Sequence, residues 1–167
     1  GIASLCERHA IDPKRITHVM HGTTVATNTV LEGKGARVGL VTTKGYRQVL
    51  QIARSFVPGG LGGWVIYNKS LPLAPLACTI EADERVSAKG DIVHALDEEQ
   101  LRVSLRELKS KNIEALTVSL INSFANDTHE KRIRDIAGEE LPEIPVSLSS
   151  EVVPEMQEYE RTVTTVA

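Results

Sequence analysis

The sequence predicts an α/β fold in which helices cover a parallel β-sheet. Short apolar runs of strand length alternate along the chain with segments whose apolar residues recur at helical spacing. Two helix-capping signals, Asp97 and Asp127, and the most strand-like run, residues 115–121, support this alternation. The fold class therefore follows from the order of the elements rather than from any one of them.

The first third of the chain contains two predicted units of strand and helix. An opening helix is followed by a predicted strand over 16–21 and a predicted helix over 24–32, which ends at the turn 33–35. Residues 38–41 form the next short apolar strand, and Thr43 is placed to cap a further helix. The predicted buried face of that helix is Tyr46, Val49, Leu50 and Ala53.

Residues 55–94 form a predicted excursion of loop and hairpin from this alternation. The glycine-rich segment 58–64 and two nearby prolines are poorly suited to regular structure. A hairpin with strands over 84–87 and 91–93 closes the excursion. Long loops in compact domains are often functional, and the alternative is an irregular crossover.

The second half returns to regular alternation. Asp97 precedes a helix with leucines at helical spacing on its buried face, and residues 115–121 form a strand. Asp127 and Glu130 form a predicted capping box for the next helix. Residues 146–148 form the last strand, and a final helix follows it.

Composition and charge exclude several classes of partner. The chain has 167 residues, which suits one domain over 1–167, and 19 basic against 22 acidic side chains give a net charge of −3. There is no basic run and no apolar run of membrane length, so we expect neither nucleic acid nor a membrane as a partner. Two cysteines without metal-ligand spacing, and no signal peptide, favour the cytoplasm. Both ends fall inside helical patterns, so we expect part of a longer domain.

Polar side chains follow the predicted strands at their carboxyl ends. These groups are His21-Gly22-Thr23-Thr24, Thr42-Thr43, Asn122-Ser123 and Ser149-Ser150-Glu151. Parallel strands end at the same edge of a sheet, where open α/β domains bind ligands. Two interpretations remain open: a polar binding site along that edge, or helix caps and turn residues at each strand end.

The segment 21–28 is the strongest candidate at that edge. A glycine-threonine turn that leads into a helix leaves backbone N–H groups free for an anion, a phosphate or a polarised carbonyl, and the hydroxyls add donors. An ordinary turn with threonine capping is the alternative interpretation. Arg54, near the end of a predicted helix, either holds an anion or is an exposed charge favoured by the helix dipole.

The remaining polar patterns predict ordinary surface chemistry. His18 and His21 are three residues apart, so on a strand they would face opposite sides rather than share a metal. Glu158 and Arg161 have the spacing of a surface pair on a helix. Phosphate-loop, dinucleotide and serine-hydrolase motifs are absent from the sequence. The other histidines are expected to be solvated: His9, His94 and His129.

Four motifs together resemble the hydantoinase/oxoprolinase family. They are HGTTVATN at 21–28, GLVTTKGY at 39–46, NSFAN at 122–126 and EYERT at 158–162, in the family's order. Over nearly its whole length, the chain is similar to the N-terminal domain of the hydantoinase A type. The glycine-rich segment 58–64 resembles the branch of N-methylhydantoinases and of acetone and acetophenone carboxylase subunits.

The resemblance implies a ribonuclease H-like domain of the actin and sugar-kinase superfamily, with a mixed sheet flanked by helices. It also implies ATP and Mg²⁺ as cofactors. The implied enzyme opens cyclic amides such as hydantoins or 5-oxoproline by phosphorylating the carbonyl oxygen, with a hydantoinase B-type subunit as partner. The alternatives are an ATP-dependent acetone or acetophenone carboxylase subunit and a non-catalytic actin-like assembly or regulatory module.

The family motifs also imply roles for individual residues. Carried over by motif, the catalytic candidates are His21, Thr24 and Glu151. The candidates for the nucleotide or substrate cleft are Gly22, Thr23, Thr27, Asn28, Arg54 and Asn122. The family's first phosphate loop, Gly-x-Asp-x-Gly-Gly-Thr-x-Thr-Asp, is absent from this sequence. The resemblance therefore implies half of an ATP cleft, no assigned metal ligand and no turnover by this segment alone.

Overall fold

A computed structural model describes residues 2–18, 22–54 and 70–167 of the chain. The helices are α1 (Ile2–Arg8), α2 (Val25–Glu32), α3 (Val49–Ile52), α4 (Glu98–Lys109), α5 (Thr128–Glu140), α6 (Ser149–Val152) and α7 (Glu158–Val166). The strands are β1 (Val38–Thr43), β2 (Thr79–Ala82), β3 (Arg85–Val86), β4 (Ile92–His94), β5 (Ala115–Ser119) and β6 (Val146–Leu148). No helix in the three described ranges is long and apolar enough to cross a membrane.

Four parallel strands form the main sheet, in the order β2-β1-β5-β6. β1 pairs with both neighbours, so Leu40 lies opposite Thr79 on one side and Thr117 on the other. All six residues of β1 are buried, as expected for a central parallel strand covered on both faces. The chain passes from β1 outward to β2 and returns across β1 to β5. The winding direction therefore switches between β1 and β5.

The mixed sheet implied by the resemblance is wrong for the described residues. Long crossover connections join the four strands of the main sheet and return the chain in the same direction each time. The antiparallel pair β3–β4 forms a separate two-stranded sheet, because a tight turn between them folds the chain directly back. The predicted parallel α/β sheet with covering helices is confirmed.

Helices cover each face of the main sheet. α4 and α5 pack on one face, in a core that contains Leu105 of α4 and Val41 of β1. α3 and α7 lie on the other face, in a core that contains Leu40, Leu50 and Val166. Successive side chains of a strand point to opposite faces, so β1 contributes to both cores. Because of the same alternation, neighbouring polar residues at the end of a strand point to opposite faces of the sheet.

Gly39 in β1 lies where a side chain has no room. A Cβ atom there would be 3.0 Å from side-chain carbons of Leu108 and Ile113 and 3.2 Å from Leu116. Gly39→Ala is expected to lower the free energy of unfolding by about 1–3 kcal/mol through overpacking. The control is Gly138→Ala in α5, where a Cβ would meet no atom within 4 Å and alanine favours the helix. Equal effects of the two changes in denaturant unfolding would contradict this packing.

Glu140 at the end of α5 joins that helix to α4 through ion pairs. Its carboxylate accepts hydrogen bonds from Arg106, at 2.8 and 2.9 Å, and from Arg102, at 3.1 Å. These bonds, those from Arg106 first, lower the pKa of Glu140 from 4.5 to about 2.

The lowered pKa of Glu140 predicts a pH dependence of stability. A carboxyl group with a depressed folded-state pKa stabilises the fold above its unfolded pKa, and this contribution disappears as the pH falls from about 4.5 to about 2. Glu140→Gln is therefore expected to lower the melting temperature near neutral pH and to lose this effect by pH 2. A difference in melting temperature that is the same at every pH would contradict the ion-pair assignment.

Several predicted helix ends and turns are confirmed. Gly33 caps α2 in the left-handed conformation, with a φ of 62°. Asp97 caps α4 by accepting a hydrogen bond from the Gln100 N–H at 3.0 Å. The predicted hairpin is present as β3 and β4.

Other local predictions differ from the structure. Residues 16–18 form no strand, and the rest of that predicted strand lies outside the described residues, as does the glycine-rich segment 58–64. The helix predicted after Thr43 is the single turn α3, because β1 continues through Thr43 and Gly45 then turns the chain with a φ of 91°. β2 lies inside the predicted excursion and forms one edge of the main sheet.

Candidate functional site

The carboxyl ends of β1 and β5 mark the topological switch point of the sheet. The segment after β1 leads to α3 on one face, whereas the loop 120–127 leads to α5 on the other. Loops that diverge in this way form the ligand crevice of open α/β domains. We call the ends of these two strands, together with the loop 120–127, the switch-point edge.

A chain of buried hydrogen bonds joins the two strand ends. The hydroxyl of Thr43 accepts a hydrogen bond from the Ile121 N–H at 3.0 Å and donates one to the Glu84 carboxylate at 2.5 Å. The other oxygen of Glu84 accepts a hydrogen bond from Nδ1 of His129 at 2.7 Å. His129 is only 6% exposed, so the expectation that it is solvated is wrong. This chain of bonds ties β1 to β5 across the switch point.

Glu130 in the first turn of α5 binds the ends of β5 and β6. Its carboxylate accepts hydrogen bonds from the Leu120 N–H at 2.9 Å, the Ser149 hydroxyl at 2.6 Å and the Ser150 N–H at 2.9 Å. Because Glu130 is fully buried, these three donors replace its lost hydration. The predicted capping box is wrong: Glu130 bonds the strand ends, and the Asp127 side chain makes no cap.

Arg161 of α7 approaches the same strand ends and is fully buried. Its Nε donates to the Ser149 hydroxyl at 3.1 Å, its Nη2 donates to the Leu120 carbonyl at 2.7 Å, and its Nη1 donates to the Glu155 carbonyl. Burial lowers the pKa of Arg161, and nearby carboxylates, Glu130 first, oppose that shift. The predicted surface pairing of Arg161 is therefore wrong.

Two asparagines join the loop 120–127 to the β3–β4 hairpin. Asn122 has a left-handed φ of 60°, and its side-chain amide donates to the Val86 carbonyl at 2.9 Å. The Asn126 amide donates to the Gly90 carbonyl at 2.7 Å. The hairpin therefore borders the switch-point edge and helps to hold its loop.

Two hydrogen-bond donors that follow the end of β1 are already bonded to carboxylates. The Lys44 Nζ lies 2.5 Å from an oxygen of Asp83, and this hydrogen-bonded pair raises the pKa of Lys44 and lowers that of Asp83. The Gly45 N–H donates to Glu81 at 2.7 Å. A phosphate arriving here would have to displace these carboxylates.

The described residues do not by themselves fit a complete site for ATP and Mg²⁺. Among them, no cluster of three His, Cys, Asp or Glu side chains could hold a metal ion. The donors at the end of β1 are occupied by the carboxylates of Asp83 and Glu81. The switch-point edge, which buried hydrogen bonds hold in place, could form one wall of a cleft.

The sequence-predicted residues of the segment 21–28 lie on or just before α2. His21 lies outside the described residues. The other five are exposed: Gly22, Thr23, Thr24, Thr27 and Asn28. Thr23 accepts a hydrogen bond from the Val25 N–H at 3.3 Å, and Asn28 donates one to Thr24 at 3.4 Å. These bonds are local, and the described side chains of α2 are all exposed except Thr29, which is half-buried.

The remaining predicted site residues lie at separate places. Asn122 is part of the switch-point edge. Arg54 pairs with Glu160 at 2.5 Å, and Glu151 pairs with Arg134 at 2.7 Å. Both ion pairs reach solvent. The structure therefore brings Asn122 to the edge and holds Arg54 and Glu151 in surface pairs.

The buried groups that brace the edge were not predicted as a set: Glu84, His129, Glu130 and Arg161. The sequence does contain a signal for most of them. His129 and Glu130 lie one turn before buried Ile133, and Arg161 lies one turn before buried Thr165. Polar residues in phase with a buried helical stripe share its environment. Glu84, outside any strand or helix, has no such signal.

The fold and the topological switch point define this chain as an open α/β domain with a parallel sheet covered by helices. The family model for the hydantoinase/oxoprolinase N-terminal region matches residues 1–141, and the chain belongs to the hydantoinase/oxoprolinase family. This finding confirms the family suggested by the four sequence motifs.

Known relatives include both carboxylases and amide hydrolases. The acetophenone carboxylase gamma subunit of Aromatoleum aromaticum is 37% identical over 91% of this chain and 22% of its own length. The 5-oxoprolinase 1 of Arabidopsis thaliana is 32% identical over 92% of this chain and 13% of its own. The structure of the ATP-dependent caprolactamase of Pseudomonas jessenii superposes with a TM-score of 0.84 and 28% identity, covering 99% of this chain and 25% of that one. The chain thus spans a quarter or less of these relatives.

Proposed function

We propose that the protein containing this chain uses ATP to open cyclic amides of the hydantoin or 5-oxoproline type. The likeness to an ATP-dependent caprolactamase, over 99% of this chain, is the observation that carries the proposal. Membership of the hydantoinase/oxoprolinase family and the similarity to 5-oxoprolinase 1 support it. ATP and Mg²⁺ are the proposed cofactors of the whole protein, and the ribonuclease H-like superfamily is its proposed fold relationship.

The proposed reaction transfers the terminal phosphoryl group of ATP to the carbonyl oxygen of the ring. Water then attacks the ring carbon and the ring nitrogen leaves. A second water attacks the carbon of the remaining acyl phosphate, and its C–O bond breaks to give carboxylate and inorganic phosphate. Enzymes support this kind of chemistry mainly by positioning the reactants and by stabilising the phosphoryl charge. The described residues do not complete the nucleotide site, so the rest of the protein would supply the other groups that these steps need.

Within this chain, we propose that the segment 21–28 and the switch-point edge form one wall of the cleft. His21, Thr24 and Glu151 are the proposed catalytic residues. The proposed cleft residues are Gly22, Thr23, Thr27, Asn28, Arg54 and Asn122. The exposure of the five described positions in the segment 21–28 supports contacts with a ligand or with the rest of the protein.

Isotope transfer tests the proposed reaction directly. The full-length protein, expressed with any partner subunit, is incubated with ATP, Mg²⁺ and a cyclic amide carrying ¹⁸O on the ring carbonyl. Phosphorylation of that oxygen, followed by water attack at carbon, predicts ¹⁸O in the inorganic phosphate released. Ring opening without ATP, or ATP hydrolysis unaffected by hydantoin, 5-oxoproline and caprolactam, would contradict the proposal.

Substitutions in the segment 21–28 test the proposed wall. His21→Ala and Thr24→Ala in the full-length protein are each expected to lower kcat by about tenfold or more, because each removes a group from the reacting region. The melting temperature of the Thr24→Ala variant is expected to change little, since Thr24 is exposed. A lowered melting temperature with unchanged turnover would assign both residues to structure alone.

The second candidate function is an ATP-dependent ketone carboxylase subunit. It is favoured by the acetophenone carboxylase gamma subunit, which has the higher sequence identity of the two curated relatives compared above. ATP turnover that requires both bicarbonate and a ketone would establish this function instead. In either case we propose a hydantoinase B-type subunit as partner, which co-purification of a tagged full-length protein would test.

A further inference from the structure

Two buried side chains of opposite charge come from helices on opposite faces of the sheet. They approach each other near its carboxyl edge. Glu130 belongs to α5, which packs on one face, and Arg161 belongs to α7, which packs on the other. Both side chains are 0% exposed. They share no direct ion pair among the described residues. Instead, the hydroxyl of Ser149, the residue directly after β6, lies between them.

Proton counting fixes the orientation of this hydroxyl. The Glu130 carboxylate accepts and the Arg161 guanidinium only donates. The single Ser149 proton therefore points to Glu130, at 2.6 Å, and the oxygen accepts from Arg161 Nε, at 3.1 Å. Ser123 contacts the same oxygen at 3.2 Å. An alanine at position 149 would lack the hydroxyl, so it could neither donate to Glu130 nor accept from Arg161.

Both charged groups also bind the backbone of Leu120, one through its N–H and the other through its carbonyl. Glu130 accepts the Leu120 N–H at 2.9 Å, and Arg161 donates to the Leu120 carbonyl at 2.7 Å. The Ser123 hydroxyl donates to the same carbonyl at 3.0 Å. Leu120 is the first residue of the loop 120–127, so the orientation of the two peptide units on either side of it sets the start of that loop.

We propose that Ser149 is a positioning residue for the cleft. By linking Glu130 to Arg161, its hydroxyl fixes the backbone of Leu120 and with it the start of the loop 120–127. The effect on catalysis rests on the proposed function, because that loop is a proposed wall of the cleft. The effect on the loop itself does not depend on the reaction.

The test compares Ser149→Ala with Ser147→Ala in the full-length protein. Ser147 is the matched control, since it is an exposed serine in β6, two residues away. Amide hydrogen exchange is measured at Leu120 and Ile121 and, for reference, at Leu116 and Val118 of β5. Ser149→Ala is expected to accelerate exchange at the first two amides by about 10- to 100-fold relative to the reference. This is the effect of weakening one or two hydrogen bonds to charged groups.

Steady-state kinetics form the second readout. Under the proposed function, Ser149→Ala lowers kcat/KM for the cyclic amide by about tenfold at temperatures well below its melting point, whereas Ser147→Ala leaves it within about twofold. Equal acceleration of all four amides, or acceleration at none, would overturn the proposal. A locally loosened loop with unchanged kcat/KM in an active enzyme would also overturn the positioning role.

The two proposals can fail separately. An unsubstituted protein that opens no cyclic amide refutes the proposed function, and the exchange data then still decide whether Ser149 fixes the loop. If Ser149→Ala does not fold, Ser123→Ala provides the milder variant, because it removes only the 3.2 Å contact with Ser149 and one bond to Leu120. In Ser123→Ala, amide hydrogen exchange is expected to be faster at Leu120 and Ile121. An unchanged exchange rate at both amides would contradict the proposal.

Discussion

Replacing Arg161 by methionine is expected to lower the free energy of unfolding by about 3–5 kcal/mol. The substitution leaves the fully buried Glu130 without its compensating charge and leaves the Leu120 carbonyl without its charged donor. Removing one member of a buried charged pair is costly because the remaining charge stays desolvated. Denaturant unfolding at neutral pH measures the loss.

The control for this prediction is the same change at an exposed ion pair. Arg134→Met removes the partner of Glu151 at the protein surface, where a pair contributes at most about 1 kcal/mol. If Arg161→Met and Arg134→Met have the same effect, the buried arginine does not brace the strand ends as described.

The second large effect is expected for Thr43→Val. Valine preserves the shape of the side chain but removes the hydroxyl that serves both Glu84 and the Ile121 N–H. A hydrogen bond to a charged group contributes about 1.5–3 kcal/mol, and an unpaired buried donor costs about 1–3 kcal/mol. These contributions overlap, so the free energy of unfolding is expected to fall by about 2–4 kcal/mol.

Thr164→Val provides the comparison for Thr43→Val. Thr164 is exposed on α7, so its substitution is expected to change the free energy of unfolding by less than about 0.5 kcal/mol. A loss at Thr43 no larger than that at Thr164 would show that the hydrogen bonds between β1 and β5 contribute nothing to stability. The double variant Thr43→Val with Arg161→Met tests whether the hydrogen bonds of Thr43 and those of Arg161 are coupled. They are coupled if its loss of unfolding free energy differs from the sum of the two single losses.

The regular elements of this fold could be predicted from the sequence because their signals are local. The apolar run 38–41 in β1, the cap at Asp97 and the turn at Gly33 each depend on neighbouring residues alone. β2 was missed for the opposite reason. It has only four residues, follows an irregular segment, and is a strand because it pairs with β1 at the edge of the sheet.

The bracing of the candidate site could be predicted only in part. Glu130 has the local pattern of a capping box, yet its carboxylate bonds to strand ends that are distant in sequence. Tertiary contacts thus overrode a local preference. Likewise, Arg161 has the spacing of a surface pair, and only the packing of α7 shows that it is buried. The polar strand ends at Thr42-Thr43, Asn122-Ser123 and Ser149-Ser150-Glu151 were correctly located, but Thr43 and Ser149 serve the interior rather than solvent. The fourth, at 21–24, follows a predicted strand that is absent at 16–18 and otherwise lies outside the described residues.

The predicted site and the observed network therefore have different roles, and among the predicted site residues Asn122 is the one that the structure places at the switch-point edge. Buried groups hold the strand ends in place, and the exposed groups of the segment 21–28 remain available for contacts. The proposed wall, formed by the segment 21–28 and the switch-point edge, can be tested without knowing the natural substrate. Ligands that bind in the cleft of the full-length protein should contact it.

Hydrogen exchange of the full-length protein with Mg²⁺, a non-hydrolysable ATP analogue and a cyclic amide tests that claim most directly. Slower exchange is expected in the segment 22–28 and in the loop 120–127, with the surface near the exposed Val103 on α4 unchanged as an internal reference. Protection confined to other parts of the protein, with both segments exchanging as in the free enzyme, would show that this chain does not form a wall of the cleft.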